Sequence, residues 1–266
     1  AKMKLLFFTY LLLIPFMYAD YTDHPDSKKI MQELIEIHGF EKSYVEDVFK
    51  NATKQQKIID SISKPAEFTW TWERYKKLFI EDKRIRNGKK FIKQNIDTLN
   101  RAEEEFGVPK EIIVSILGVE TRYGKIMGGY RVIDSLTTLG FDYPRRSAFF
   151  KDELIKFFLL ARENNLDIYS IKGSYAGAMG YGQFISSSYR AYAVDFDGDD
   201  NVDLFNSVDD AIGSIANYLK VHGWKKNGKI VTKSIPNNVR EIYKPHDSLS
   251  KFIPLSFNEG GEENYF

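Results

Sequence analysis

The chain has 266 residues, enough to bury a substantial core in one large domain or two modest ones. Its 38 basic and 37 acidic residues nearly cancel, and 43% of residues are hydrophobic, which excludes a disordered chain. No basic stripe interleaved with aromatics is present, so nucleic acid is not an expected partner. The absence of cysteine excludes disulfides, thiolate chemistry and zinc–thiolate sites.

At the N-terminus, Lys2 and Lys4 precede an apolar run from Leu5 to Met17, followed by Tyr18, Ala19 and Asp20. The run is short for a membrane span and reads as a secretory signal over 1–19, cleaved after Ala19. An uncleaved anchor is the alternative; Pro15 argues against a buried helix. The mature protein is expected to be soluble and outside the cytoplasm. From Asp26 to about Ile62 the pattern is helical, with Met31, Leu34, Ile35, Ile37 and His38 at helical spacing and Gly39 as a stop. A connection over 64–73 leads to a long helix predicted from Asn87 to Phe106, on the repeat of Phe91, Ile92, Ile96, Leu99 and Ala102.

Gly107-Val108-Pro109 breaks the pattern, and Pro109 suits the first position of a helix running to about Tyr123 and closed by Gly124. Further helices are predicted over 146–164 and 207–222, and one strand over Lys229–Thr232. The fold class is mainly α with little sheet. His24, His38, His222 and His246 show no ligand spacing and read as ordinary.

On the helix after Pro109, the apolar face is Ile112, Ile113, Ile116 and Leu117. Glu120 lies seven residues after Ile113 and four after Ile116, so it projects from that face at the helix end. Desolvation there favours the neutral acid, as protonation of a leaving glycosidic oxygen requires. Escape to solvent, or pairing with Arg122 or Lys125, is the competing reading. The stretch from Gly173 to Phe184 holds four glycines among small and aromatic residues, without the lysine of a phosphate-binding loop. It suggests a backbone that must come close to something flat. The chain's 20 Phe, 16 Tyr and 3 Trp also lean slightly towards an enzyme that holds sugar rings.

Five blocks in order resemble the lytic murein transglycosylase B family. They are Trp72-Glu73-Arg74-Tyr75-Lys76-Lys77-Leu78-Phe79-Ile80, Gly118-Val119-Glu120-Thr121-Arg122-Tyr123-Gly124, Tyr143-Pro144-Arg145-Arg146, the glycine-rich stretch, and Ala211-Ile212-Gly213-Ser214-Ile215-Ala216-Asn217-Tyr218. The resemblance implies a helical domain over 20–95 wrapped against a lysozyme-like core over 96–224. It implies cleavage of the β-1,4 bond between N-acetylmuramic acid and N-acetylglucosamine to a 1,6-anhydromuramic end, with Glu120 as acid and then base. It further implies that Tyr75, Ser174, Gln183 and Tyr218 line the saccharide cleft, and that Arg145 and Arg146 meet carboxylates of the peptide. The family continues beyond the segment 225–266, which is read as shortened.

A two-carboxylate glycosidase would need a partner for Glu120. Asp134 and Asp142 are the candidates, although Asp134 reads more naturally as a helix cap. A hydrolytic muramidase and a non-catalytic peptidoglycan-binding protein therefore stay open. The expected setting is the periplasm, with glycan strands of peptidoglycan as partner. The protein is expected to be a monomer, with association with other cell-wall enzymes left open, and no organic cofactor is expected.

Asp195, Asp197, Asp199 and Asn201 stand at alternate positions of an acidic loop, the oxygen spacing that a structural calcium ion requires. The usual glycine of such a loop is replaced by Asp200, which tolerates a left-handed backbone, and the usual final Glu by Asn206. The resemblance places the last carboxylate at Asp210, with Asp209 as alternative; a capping box with Ser207 is the competing role for Asp210.

Overall fold

A computed structural model describes residues 21–63 and 71–228, and for Trp72 and Tyr75 the backbone alone. The expected signal segment, the strand over 229–232 and the C-terminal segment beyond residue 228 lie outside the described residues. The described residues up to Gly223 belong to one compact unit, and those over 224–228 to another.

The N-terminal helical pattern resolves into three helices, α1 (Pro25–Glu36), α2 (Lys42–Asn51) and α3 (Gln56–Ser63). Gly39 adopts φ +67° just beyond α1, the left-handed exit that a residue without Cβ makes cheaply. After α4 (Trp72–Phe79), the single long helix expected from Asn87 is two, α5 (Asp82–Gln94) and α6 (Ile96–Phe106). Asn95 makes the break: its side-chain amide and its backbone N–H both donate to the Phe91 carbonyl. A short polar side chain thus competes for the backbone, an effect that hydrophobic periodicity does not register.

Helix α7 (Lys110–Thr121) follows Gly107, at φ +72°, and is entered through Pro109 as its cap, so that it begins one residue later than expected. It lies among α5, α6 and α11 (Val208–Val221). A two-stranded antiparallel sheet, β1 (Tyr130–Arg131) with β2 (Lys172–Gly173), pairs Tyr130 with Gly173 and Arg131 with Lys172. Strands of two residues carry no alternation, so sequence pattern could not predict them.

Helix α8 (Val132–Asp142) is buried from Val132 through Phe141 and packs chiefly on α9 (Ser147–Glu163), with α3 beside it. A helix buried on all sides belongs at the centre of a layered fold. Its buried polar groups are satisfied. The Thr137 hydroxyl donates to the Ile133 carbonyl, and Thr138 Oγ1 accepts from the Gln55 N–H. The mainly α expectation holds: sheet among the described residues is limited to β1 and β2.

Candidate active site

The chain exits α7 through three consecutive residues of positive φ: Arg122 at +52°, Tyr123 at +64° and Gly124 at +81°. Arg122 and Tyr123 both return their N–H to the Leu117 carbonyl, which satisfies the end of the helix. Tyr123 then folds back between α5 and α7. Its ring lies 5.6 Å from Phe91, and its hydroxyl donates to the Arg84 carbonyl at 2.8 Å. Gly88 and Gly118 make room for it, because a Cβ on either would stand 2.7 or 2.6 Å from the Tyr123 oxygen.

Glu120 sits one residue before the end of α7. The buried stripe of α7 is Ile113, Val114, Leu117, Gly118 and Thr121. Glu120 lies on the flank of that stripe and is open to solvent, not on the apolar face itself. Burial of its surroundings still pushes its pKa up, and desolvation is the one cause. Neither Arg122 nor Lys125 pairs with it; Arg122 binds Glu81 at 3.0 Å. Among the described residues Glu120 has no hydrogen bond or ion pair, and no second carboxylate acts on it electrostatically.

The two candidate partner carboxylates are committed elsewhere. Asp134 is buried and accepts from the Thr53 N–H and from the guanidinium of Arg131. It does not cap its own helix, where Arg131 is the capping residue. Asp142 accepts from the Tyr21 hydroxyl at 2.6 Å and pairs with Lys54 at 2.7 Å.

The glycine-rich stretch is bonded to the turn after Glu120. The Thr121 hydroxyl donates to the Tyr181 carbonyl at 2.8 Å and accepts from the Gly124 N–H at 2.9 Å. Gln183, at φ +52°, donates both amide hydrogens, to the carbonyls of Met127 and Gly180. The flat object that the glycines must approach is the protein itself. A Cβ at Gly124 would collide with the Tyr181 ring, and one at Gly180 with the Leu204 carbonyl.

Ser174 is part of this architecture: its Oγ accepts from the amides of Ala176 and Ala178. Phe184 carries the stretch to Tyr218, whose ring it meets edge-on at 5.8 Å. Thus the turn after Glu120 is linked to the glycine-rich stretch, which holds Ser174 and Gln183, and that stretch to Tyr218, although Glu120 itself makes none of these bonds. Arg145 and Arg146 sit in the turn between α8 and α9, where Arg146 lies over the Phe149 ring at 4.1 Å. Neither arginine bonds to that neighbourhood among the described residues. The side chain of Tyr75 lies outside the described residues.

The acidic loop turns where expected, with Gly198 at φ +81° and Asp200 at +67°. One carboxylate oxygen from each of Asp195, Asp197 and Asp210 falls within a group no wider than 4.8 Å. Asp210 is fully buried at the start of α11 and accepts from the N–H groups of Phe196, Asp197 and Asp203. Its own N–H donates to the Ser207 hydroxyl, but the reciprocal bond of a capping box is missing, because the Ser207 N–H goes to the Asp203 carbonyl. Asp209 points away and accepts from the Thr98 hydroxyl at 2.7 Å. Asp199 lies outside the tight group and accepts from the Asn201 N–H.

Residues 23–253 match the transglycosylase SLT domain family. The chain is 40% identical over 242 residues to the membrane-bound lytic murein transglycosylase B of Escherichia coli strain K12, covering 85% of this chain and 67% of that protein. The solved soluble lytic transglycosylase SltB1 of Pseudomonas aeruginosa superposes with a TM-score of 0.77 at 48% identity, over 80% of this chain and 72% of that one. The Escherichia coli lytic transglycosylase Slt35, solved in complex with calcium, gives 0.79 at 39% identity, over 91% and 78%.

The chain belongs to the transglycosylase SLT family.

As a lytic transglycosylase, it carries one aromatic group that sequence reasoning passed over. His222 stacks on Tyr218 with centroids 4.0 Å apart, Tyr192 meets both rings edge-on, and His222 Nδ1 lies 2.7 Å from the Tyr218 carbonyl. The spacing of Tyr218 and His222, four residues apart on one helix, was the available signal.

Proposed function

We propose that this lytic transglycosylase cuts the β-1,4 bond between N-acetylmuramic acid and N-acetylglucosamine, with Glu120 as its acid and base. The observation that supports the reading is a lone carboxyl at the end of α7, which among the described residues has no hydrogen bond or ion pair and whose pKa desolvation raises. Protonated Glu120 gives its proton to the glycosidic oxygen as the C1–O bond breaks. The resulting carboxylate takes the proton of the muramic C6 hydroxyl while O6 bonds to C1, leaving a 1,6-anhydro end and the acid restored. A hydrolase with two flanking carboxylates would need a second one within about 5–9.5 Å. Asp134 and Asp142 are already bound within the fold.

In this reading Tyr218, backed by His222, offers a ring face and a hydroxyl to the sugar. Gln183 has spent its N–H groups on the backbone and so offers Oε1 as an acceptor for a sugar hydroxyl. Ser174, whose oxygen accepts two amides, has its O–H to donate. Tyr75 is assigned to the cleft by sequence resemblance alone. We assign 20–95 as a helical domain and 96–224 as the lysozyme-like core.

We also propose a structural calcium ion in the acidic loop. A fully buried Asp210 facing Asp195 and Asp197 is the kind of oxygen cluster that a hard cation suits. Asp199 and Asn201 would complete its ligands. The ion would tie the loop to the start of α11, away from the chemistry. The proposed setting is the periplasm, where the protein would act on glycan strands as a monomer. No described helix is long and apolar enough to cross a membrane.

Mass spectrometry of digested cell wall tests the reaction. Anhydro-muropeptides are the expected product; reducing muropeptides would establish a hydrolase instead, and no soluble product a binding protein. Full lytic activity in Glu120→Gln would remove Glu120 from the mechanism.

A further inference from the structure

We propose that a cationic cavity beside the turn after Glu120 binds an oxyanion of the substrate, a carboxylate of the peptide that the glycan strand carries. The assignment rests on the peptidoglycan reading above and adds to it a subsite separate from the saccharide neighbourhood and from Arg145 and Arg146. The cavity, of about 220 Å³, lies between the start of α5 and the turn that closes α7. Lys83, Arg84, Asn87, Arg122 and Lys125 line it, with Glu81 as the one acidic group. Four cations against one carboxylate leave a positive field there. Its wall at Arg122 begins two residues after the proposed acid.

The decisive group is Arg84. Its residue is only 8% exposed, and its Nε and Nη1 are buried without a hydrogen-bond acceptor. A guanidinium keeps its charge at any physiological pH, so two empty donors in a buried site are costly. Glu81 does not relieve them. Its Oε1 stands 4.0 Å from Arg84 Nε, beyond hydrogen-bond range, and is held at 3.0 Å by Arg122. Both Arg84 donors are closed to water, and the guanidinium lies 5.3 Å from the Phe79 ring. A carboxylate entering the cavity would accept from Arg84 as that group turns towards it, and would face Lys83, Arg122 and Lys125.

The backbone adds to this. Helix α5 has thirteen residues, and no side chain caps its first turn, since Glu81, in the cap position, is turned to Arg122 instead. The uncapped start of α5 and the positive end of its dipole, partly offset by Asp82 in the first turn, adjoin the cavity that Lys83 and Arg84 line. Lys83 and Lys125 are exposed at the rim, where they would attract an anion before Arg84 receives it.

Two measurements test the proposal. In the first, melting temperature is followed against inorganic phosphate, with chloride at matched ionic strength as the control. A specific rise with ligand concentration is expected in the wild type and is expected to vanish in Arg84→Met. An equal response in both proteins overturns the site. Should Arg84→Met fail to fold, Lys125→Met at the rim replaces it, and an unchanged phosphate response there overturns the site in turn.

In the second, KM is measured for peptide-free and peptide-bearing glycan strands. The wild type should favour peptide-bearing strands, and Arg84→Met should shrink that ratio of KM values about tenfold, the worth of one charged hydrogen bond. Phosphate binding lost with the ratio unchanged would make the site one for free ions and overturn the peptide assignment. If the wild type cleaved neither kind of strand, the transglycosylase reading would fail, while the phosphate measurement would still report on the cavity.

Discussion

At Glu120 a carboxyl stands at the end of a helix, without a cation beside it, and surrounding protein raises its pKa. That fixes the sign of two pH effects. The first step needs the protonated acid, so kcat/KM should fall as pH rises through the raised pKa, which a pH–rate profile reads directly. The folded protein holds this proton more tightly than the unfolded chain does. Its contribution to stability is therefore full at acid pH and lost as pH rises through the folded pKa. Glu120→Gln should accordingly melt above the wild type at neutral pH, the difference closing in acid, while kcat drops by about 10²–10⁴. Tyr218→Ala should raise KM by roughly three- to tenfold through loss of an aromatic platform, whereas Tyr218→Phe should keep most of it. The sequence made Glu120 visible as a carboxylate near an apolar face. It did not reveal that the side chain lies on the flank of that face, because a helical wheel does not say which neighbouring element covers which side.

Among the elements, the exit from α7 is the least tolerant of change. Gly124 takes φ +81°, and an added Cβ would run into the Tyr181 ring. Gly124→Ala should therefore cost about 2–3 kcal/mol, a drop of roughly 5–10 °C in Tm, and lower activity with it by displacing the glycine-rich stretch. Helices α1–α3, α5–α7, α9 and α11 fall largely within stretches legible from a buried stripe at a period near 3.6 residues. Helices α4 and α8 were not expected, and α8, buried on every side, has no single stripe to read. At the break in the long stretch from Asn87, a local polar group decides. Asn95 cuts a continuous apolar stripe in two by taking the Phe91 carbonyl for its own side chain. The left-handed Arg122 and Tyr123 could not be read ahead of time, since neither residue type prefers that conformation; the fold imposes it by seating the Tyr123 ring between Gly88 and Gly118.

Over the whole compact unit, the N-terminal helices are fastened to the core by polar links of long sequence separation. Tyr21 and Lys54 meet Asp142, Thr53 meets Asp134, Lys151 meets Asp26, and Tyr169 meets Asp47. None of these pairs has a signature in one sequence, because nothing local marks residues more than eighty positions apart as neighbours. The acidic loop shows the same limit. Its Asp and Asn spacing was legible, and the family resemblance pointed to Asp210 before Asp209, but nothing in the sequence marks Asp210 as buried or Asp209 as the acceptor of the Thr98 hydroxyl. If calcium holds this loop to α11, chelation should lower Tm by roughly 5–10 °C at concentrations where about 2.7 kcal/mol of binding is withdrawn, and excess calcium should restore it. No change in Tm would remove the ion.

Helix α8 carries a further consequence. Every residue from Val132 to Phe141 is buried, and its polar side chains bond inward or to its neighbours. No partial opening at the surface can reach such a segment, so its amides should trade hydrogen for deuterium only when the whole unit unfolds. The slowest-exchanging amides of this enzyme should thus be those of α8, and their rate would measure the stability of the unit without denaturant. The turn after Glu120, open to solvent along one side, should exchange far sooner.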